Sequence, residues 1–198
     1  GNRISSTHNG IQTNYLIDPA GYGNIAAEYD DSGSLLCRYE YGFGLLSRTD
    51  ATNTSVYYSF DGIGSTSELT DDTGGILNTY CFDPFGIIIY KDETRVNCFE
   101  YAGESGVMSE DVGLLYMRAR FYNSEVGQFI SEDPIGLNAG DLNIRRYVSN
   151  NPVNRLDPSG LACYIGYKGL DAISNAPQIL VPFAPEVADA LAHATAGT

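Results

Sequence analysis

The chain has 198 residues, enough for one sizeable core or one core with a short appendage. Its 25 acidic and 11 basic residues leave a formal charge of −14. Such a surface repels phosphate backbones and anionic bilayers, so neither a nucleic-acid partner nor membrane insertion is expected. The absence of Trp, with 15 Tyr and 22 Gly, favours many short strands joined by tight turns.

The longest apolar runs, residues 86–90 and 179–184, fall far short of the roughly 18–20 residues that a transmembrane helix needs. No signal peptide is visible, and the start at Gly1 without Met leads us to expect a piece of a longer protein. Cys37, Cys81, Cys98 and Cys163 form no CxxC pair, and His8 and His193 stand at opposite ends of the chain. No zinc site is therefore expected, nor a disulfide scaffold; free buried thiols are the expectation. No Gly-rich phosphate loop is present, and no cofactor is expected.

Along the first half a repeat is visible. At an offset of 41, Asp30-Asp31-Ser32-Gly33-Ser34-Leu35-Leu36 falls on Asp71-Asp72-Thr73-Gly74-Gly75-Ile76-Leu77, and further on Tyr39 meets Tyr80 and Tyr41 meets Phe82. Each unit reads as an Asp-and-Gly turn followed by an alternating strand such as Leu77-Asn78-Thr79-Tyr80-Cys81-Phe82. A strand-turn-strand unit of about 20 residues cannot bury its apolar face alone, so the units must stack into a ribbon of antiparallel hairpins. A ribbon cut open would expose a strand edge at its N-terminal end, and such an edge invites self-association.

The repeat resembles the YD repeat of RHS proteins, through Tyr58-Ser59-Phe60-Asp61-Gly62-Ile63-Gly64 and Tyr80-Cys81-Phe82-Asp83-Pro84-Phe85-Gly86. Downstream, Phe99-Glu100-Tyr101-Ala102-Gly103-Glu104 and Gly113-Leu114-Leu115-Tyr116-Met117-Arg118-Ala119-Arg120-Phe121-Tyr122 are similar to the RHS repeat-associated core. So are the stretches 127–137, 147–154 and 156–161. Two departures stand out: Arg145 where the family usually has an aromatic, and Gly42 where one repeat has Asp.

The resemblance implies an all-β fold, a hairpin ribbon forming part of a hollow β-shell and closed by the core. YD repeats would occupy residues 1–98, the core 99–161, and a short, partly helical tail 162–198. It further implies that the shell encloses a polymorphic, often toxic C-terminal segment, which the core frees by cutting itself. The essential acids would then be Asp133 and Asp157, and the cut would fall between Leu161 and Ala162. The implied partners are the chain's own upstream repeats and its own C-terminal segment, together with a secretion apparatus or an immunity protein; the parent would be secreted or cell-surface associated.

The chemistry is coherent on its own terms. Of two carboxylates brought close, one keeps its proton; its ionised partner can activate a water while the protonated one polarises a carbonyl. Pro134 and Pro158 hold each Asp extended, and Gly136 and Gly160 allow the sharp turn that follows. Asp-Pro-x-Gly also begins at Asp18 and Asp83, inside plain repeats, so the motif alone serves turns as well as catalysis. Asp141 is a further acid able to join the pair, and Arg118, Arg120 and Arg146 read as carboxylate partners.

After Leu161 the Tyr-Asp pattern stops. A helix is expected over residues 185–192, with Pro185 at its start. The tail is a truncated effector, a linker or a peptide cargo. The alternative for the whole is a non-catalytic structural or cell-surface adhesion protein in which the turns only close the shell. A toxin enzyme in its own right would need chemistry in the tail, where no catalytic signature is visible.

Overall fold

The computed structural model describes residues 2–19, 23–110, 113–139, 141–161 and 164–165. The chain divides into units 1–167 and 168–198, and only the first is described. The helix expected at 185–192, Cys163, His193 and Ala162 lie outside the described residues.

Nine strands form one antiparallel sheet whose spatial order is the chain order. They are β1 (Ser5–His8), β2 (Ile11–Asp18), β3 (Asn24–Tyr29), β4 (Leu35–Tyr41), β5 (Leu45–Asp50), β6 (Ser55–Phe60), β7 (Thr66–Thr70), β8 (Ile76–Phe82) and β9 (Ile88–Glu93). Strands β1 and β9 are its edges. The hairpin ribbon expected from the repeat is present.

A single turn chemistry builds most of the hairpins. At Asp71 the amide donates to the Gly75 carbonyl (2.9 Å) and the Asp71 carbonyl accepts from Gly74 (3.1 Å). Meanwhile Oδ1 of Asp71 accepts the Thr73 amide (2.9 Å), the Thr73 hydroxyl (2.7 Å) and the Gly75 amide (2.8 Å). Gly74 sits at φ 83°, a conformation that side chains resist. Asp30, Asp50, Asp61 and Asp83 repeat the arrangement, with Asn53 taking the left-handed position after Asp50. At four of these turns the strand register slips just before the Asp, as expected of a hairpin that closes with a bulge. Where Gly42 replaces the Asp, the turn closes through a Gly42 amide to Gly44 carbonyl bond (2.9 Å) without a carboxylate.

One face of the sheet carries Cys37, Tyr39, Val56, Tyr58, Leu69, Asn78 and Tyr80, and the segment that follows β9 lies across it. Arg48 Nη1 donates to the Val96 carbonyl (2.7 Å), the Tyr58 hydroxyl to Asn97 (3.1 Å) and the Thr66 hydroxyl to the Phe99 carbonyl (2.6 Å). The rings of Tyr39 and Phe99 meet edge-on at 5.1 Å. Cys37 is buried and Cys98 half-buried, and burial pushes both thiols up. Cys81 corrects the expectation of four buried thiols: it is exposed, because β8 alternates and Tyr80 takes the inward position.

A second, four-stranded sheet follows: β10 (Met108–Ser109), β11 (Leu114–Met117), β12 (Arg120–Asn123) and β13 (Gln128–Phe129). Its core gathers Tyr101, Val107, Met117, Tyr122, Phe129 and Tyr147, with Phe82 of β8 and the hairpin-turn residues Ile63 and Phe85 packed against them. The rings of Tyr122 and Tyr147 meet at 4.3 Å, tilted by 39°. Burying each such aromatic is worth about 1.5–3 kcal/mol. A last pair, β14 (Arg155–Leu156) and β15 (Tyr164–Ile165), is antiparallel.

Candidate functional site

The hairpin β11–β12 ends in a two-residue loop, Met117 pairing with Arg120. On β12 the alternation that buries Tyr122 also turns Arg120 inward. A buried guanidinium requires anionic partners, and it finds two. Arg120 Nη2 lies 2.9 Å from Asp133 Oδ2 and 3.5 Å from Asp157 Oδ2, all three side chains being no more than 4% exposed. Its other two nitrogens are engaged as well: Nη1 donates to the Ile144 carbonyl (3.0 Å), Nε donates to the Gly160 carbonyl, and the guanidinium carbon rests 3.6 Å from the centre of the Phe129 ring. Burial lowers the pKa of Arg120, and the charges of Asp133 and Asp157 oppose that shift.

Both acids keep part of the turn chemistry of the hairpins. Asp133 Oδ1 accepts the Ile135 amide (3.0 Å), and its carbonyl accepts the Gly136 amide (2.9 Å). Asp157 Oδ1 accepts the Ser159 hydroxyl (2.9 Å) and the Leu161 amide (3.2 Å). Gly136 and Gly160 are left-handed, at φ 57° and 67°. The difference from the hairpins lies in the Asp133 amide, which bonds the Ile144 carbonyl (3.0 Å) and so ties the turn to the core. Pro134 is exposed and Pro158 buried; Leu137 is exposed, whereas Leu161 is half-buried and lines the cleft.

That cleft holds about 50 Å3 of water-sized space between Arg120, Asp133, Asp157 and Leu161. A single water needs roughly 10–15 Å3, so the space suits a few waters. Asp141 lines the same cleft but turns to Arg146 Nε (3.5 Å) and to its own loop, where it accepts the Asn143 amide (2.8 Å). Arg120 gathers Asp133 and Asp157; Asp141 stands beside them as the partner of another arginine. Arg145, the departure from the family pattern, is exposed and lies 3.7 Å from Glu132. The far wall includes Val148 and Ser149, which with Asn150 form three successive left-handed residues (φ 42°, 57° and 57°). A β-branched residue there is a backbone outlier.

Arg120 and Arg146 are carboxylate partners as expected, but the sequence did not set Arg120 apart as the one that joins both acids. The signal was available: an arginine two residues before an inward tyrosine on a short strand.

A serial hairpin sheet, closed by a small aromatic-cored sheet with a buried Arg–Asp–Asp cluster, defines an RHS/YD-repeat shell protein. The chain belongs to the Teneurin YD-shell family, whose model matches residues 5–153. It is 34% identical over 185 residues to a tRNA3(Ser)-specific nuclease WapA of Bacillus spizizenii, covering 84% of this chain and 8% of that protein. It is also 34% identical over 118 residues to toxin subunit YenC1 of Yersinia entomophaga, covering 58% of this chain and 12% of that one. The crystal structure of TcdB2-TccC3 shares the fold, at 22% identity and TM-score 0.58, over 76% of this chain and 8% of the other. The chain thus spans about a tenth of the length of such relatives.

Proposed function

We propose that this chain is the closing end of an encapsulating shell, with repeats over 1–98 and a core over 99–161 that cuts once, in cis, between Leu161 and Ala162. The cut would release the segment from residue 162 onward, a toxin-like cargo in keeping with the nuclease and toxin-subunit names of the relatives. The observation that carries this reading is Arg120, whose one guanidinium reaches both acids and the carbonyl of Gly160, one residue before Leu161.

The reaction is hydrolysis. One carboxylate takes a proton from a water in the cleft, and the oxygen adds to the Leu161 carbonyl, which the other carboxyl group polarises. The C–N bond then breaks, Leu161 keeps the new carboxylate, and the proton passes to the amino group of Ala162. Because the amide of Leu161 is bonded to Asp157 itself, positioning is intramolecular and no substrate pocket is needed.

Intact-mass measurement of the purified parent protein tests this directly. The wild type should yield a product ending at Leu161, and Asp157→Asn should stay whole while melting as a folded protein. A wild-type chain that remains whole at neutral and mildly acidic pH would reduce the cluster to a structural staple, as in a non-catalytic shell or adhesion protein.

A further inference from the structure

The turn between β11 and β12 holds a residue that its backbone does not favour. Arg118 sits at φ 52° in a two-residue hairpin loop, a position at which glycine and asparagine predominate. A left-handed non-glycine residue is disfavoured by roughly 1–2 kcal/mol, so its side chain is the place to look for the reason.

That side chain bridges three parts of the molecule. Nη1 donates to the Pro158 carbonyl at 2.6 Å. Nη2 donates to the Ser105 carbonyl (2.9 Å) and to Asn24 Oδ1 on β3 (3.1 Å), a residue 94 positions away. The next two residues of the same turn continue the pattern: the Ala119 amide takes the Ser159 carbonyl (3.1 Å), and Arg120 Nε takes the Gly160 carbonyl. Three successive carbonyls leading to Leu161 are thus held by three successive residues of one hairpin turn. The fit is close: a Cβ on Gly160 would collide with the Met117 carbonyl.

We propose that Arg118 is a positioning residue for the cut, holding the segment 158–160 on the turn and tying it to β3, so that the bond is presented to the acids only when the core is seated on the large sheet. This rests on the self-cutting reading above. Arg118 holds the turn segment that leads to the reacting bond, and the chemistry stays with Asp133 and Asp157.

The test is the rate of cutting of the full chain, followed by intact mass from a freshly refolded sample. Arg118→Gly relieves the backbone, which offsets part of the lost hydrogen bonds, and should still melt as a folded protein, yet cut on the order of 10- to 100-fold more slowly. Its pH–rate profile should keep the wild-type midpoint, because the acids are untouched. Asn24→Ala, which removes only the tie to β3, should slow cutting roughly threefold to tenfold. Arg118→Lys, with one point donor in place of a fork, should fall between wild type and Arg118→Gly; it decides the matter if the glycine variant does not fold. Wild-type cutting by Arg118→Gly (or by Arg118→Lys in its place), wild-type cutting by Asn24→Ala, or a displaced pH midpoint overturns the proposal and leaves the cutting itself standing. A wild type that never cuts overturns both.

Discussion

The same Asp turn appears in two regions of this protein with two different outcomes. In the large sheet, at Asp30, Asp50, Asp61, Asp71 and Asp83, the Asp amide closes the hairpin and the carboxylate caps the turn at or near the surface. In the core, Asp133 and Asp157 use one carboxylate oxygen for the turn and present the other, Oδ2, to a buried arginine. A turn that fully occupies only one side-chain oxygen leaves the second for whatever the fold supplies. Water supplies nothing specific; Arg120 supplies a shared cationic partner. The motif is a building unit, and its use is set by what packs above it.

The sharpest way to break this comparison is to remove that partner. Arg120→Met fills the space but leaves two buried carboxylates uncompensated, so the core should lose about 3–5 kcal/mol in urea unfolding. A loss under 1 kcal/mol would mean that the two acids are as indifferent to their surroundings as those of the hairpins.

A smaller contrast is expected between glycines of the two turn types. Gly160→Ala meets the Met117 carbonyl and the Arg120 amide as well as an unfavourable φ, and should cost about 2–3 kcal/mol. Gly74→Ala has the same problem of φ but open space around it, and should cost only about 1 kcal/mol. Equal losses would show that the core turn is no tighter than a hairpin turn.

The smallest expected effect is a pair of opposite pH dependences. Hydrogen bonds from Ser32, Thr52 and Thr73, followed by backbone amides, hold the carboxyls of Asp30, Asp50 and Asp71 below their ordinary 3.8. Their contribution is present above that ordinary value and is lost as pH falls through the lower folded one. Glu100 is the reverse: burial raises its pKa above 4.5, against the pull of Lys91 2.9 Å away. Its contribution is present below 4.5 and is lost as pH rises through the raised value. Melting temperatures between about pH 3 and 6 should show Asp71→Asn flattening the acid limb and Glu100→Gln flattening the opposite slope. The same change in slope from both variants would refute the assignment.

Much of this was legible in the sequence because it is local. An Asp, two residues and a Gly specify the turn through bonds that span five positions at most, and alternating aromatics specify which strand face is buried. The offset of 41 carried the serial sheet for the same reason. Gly42 and Cys81 were legible only in part: the turn at Gly42 closes without its carboxylate, and the exposure of Cys81 follows from alternation rather than from residue type.

The cluster was not legible in that way. Nothing local brings Arg120 to Asp133 and Asp157, which lie 13 and 37 positions further on, or Arg118 to Asn24 on β3. By itself the sequence determined the repeat and the turns, and it put forward the two acids and a boundary after Leu161 as expectations. Only the tertiary structure decided which acids share a guanidinium, that Asp141 turns to Arg146, and that the segment leading to Leu161 lies along a hairpin turn. Short-range bonds follow from chain connectivity, whereas a buried charge finds its partners only once the core has closed around it.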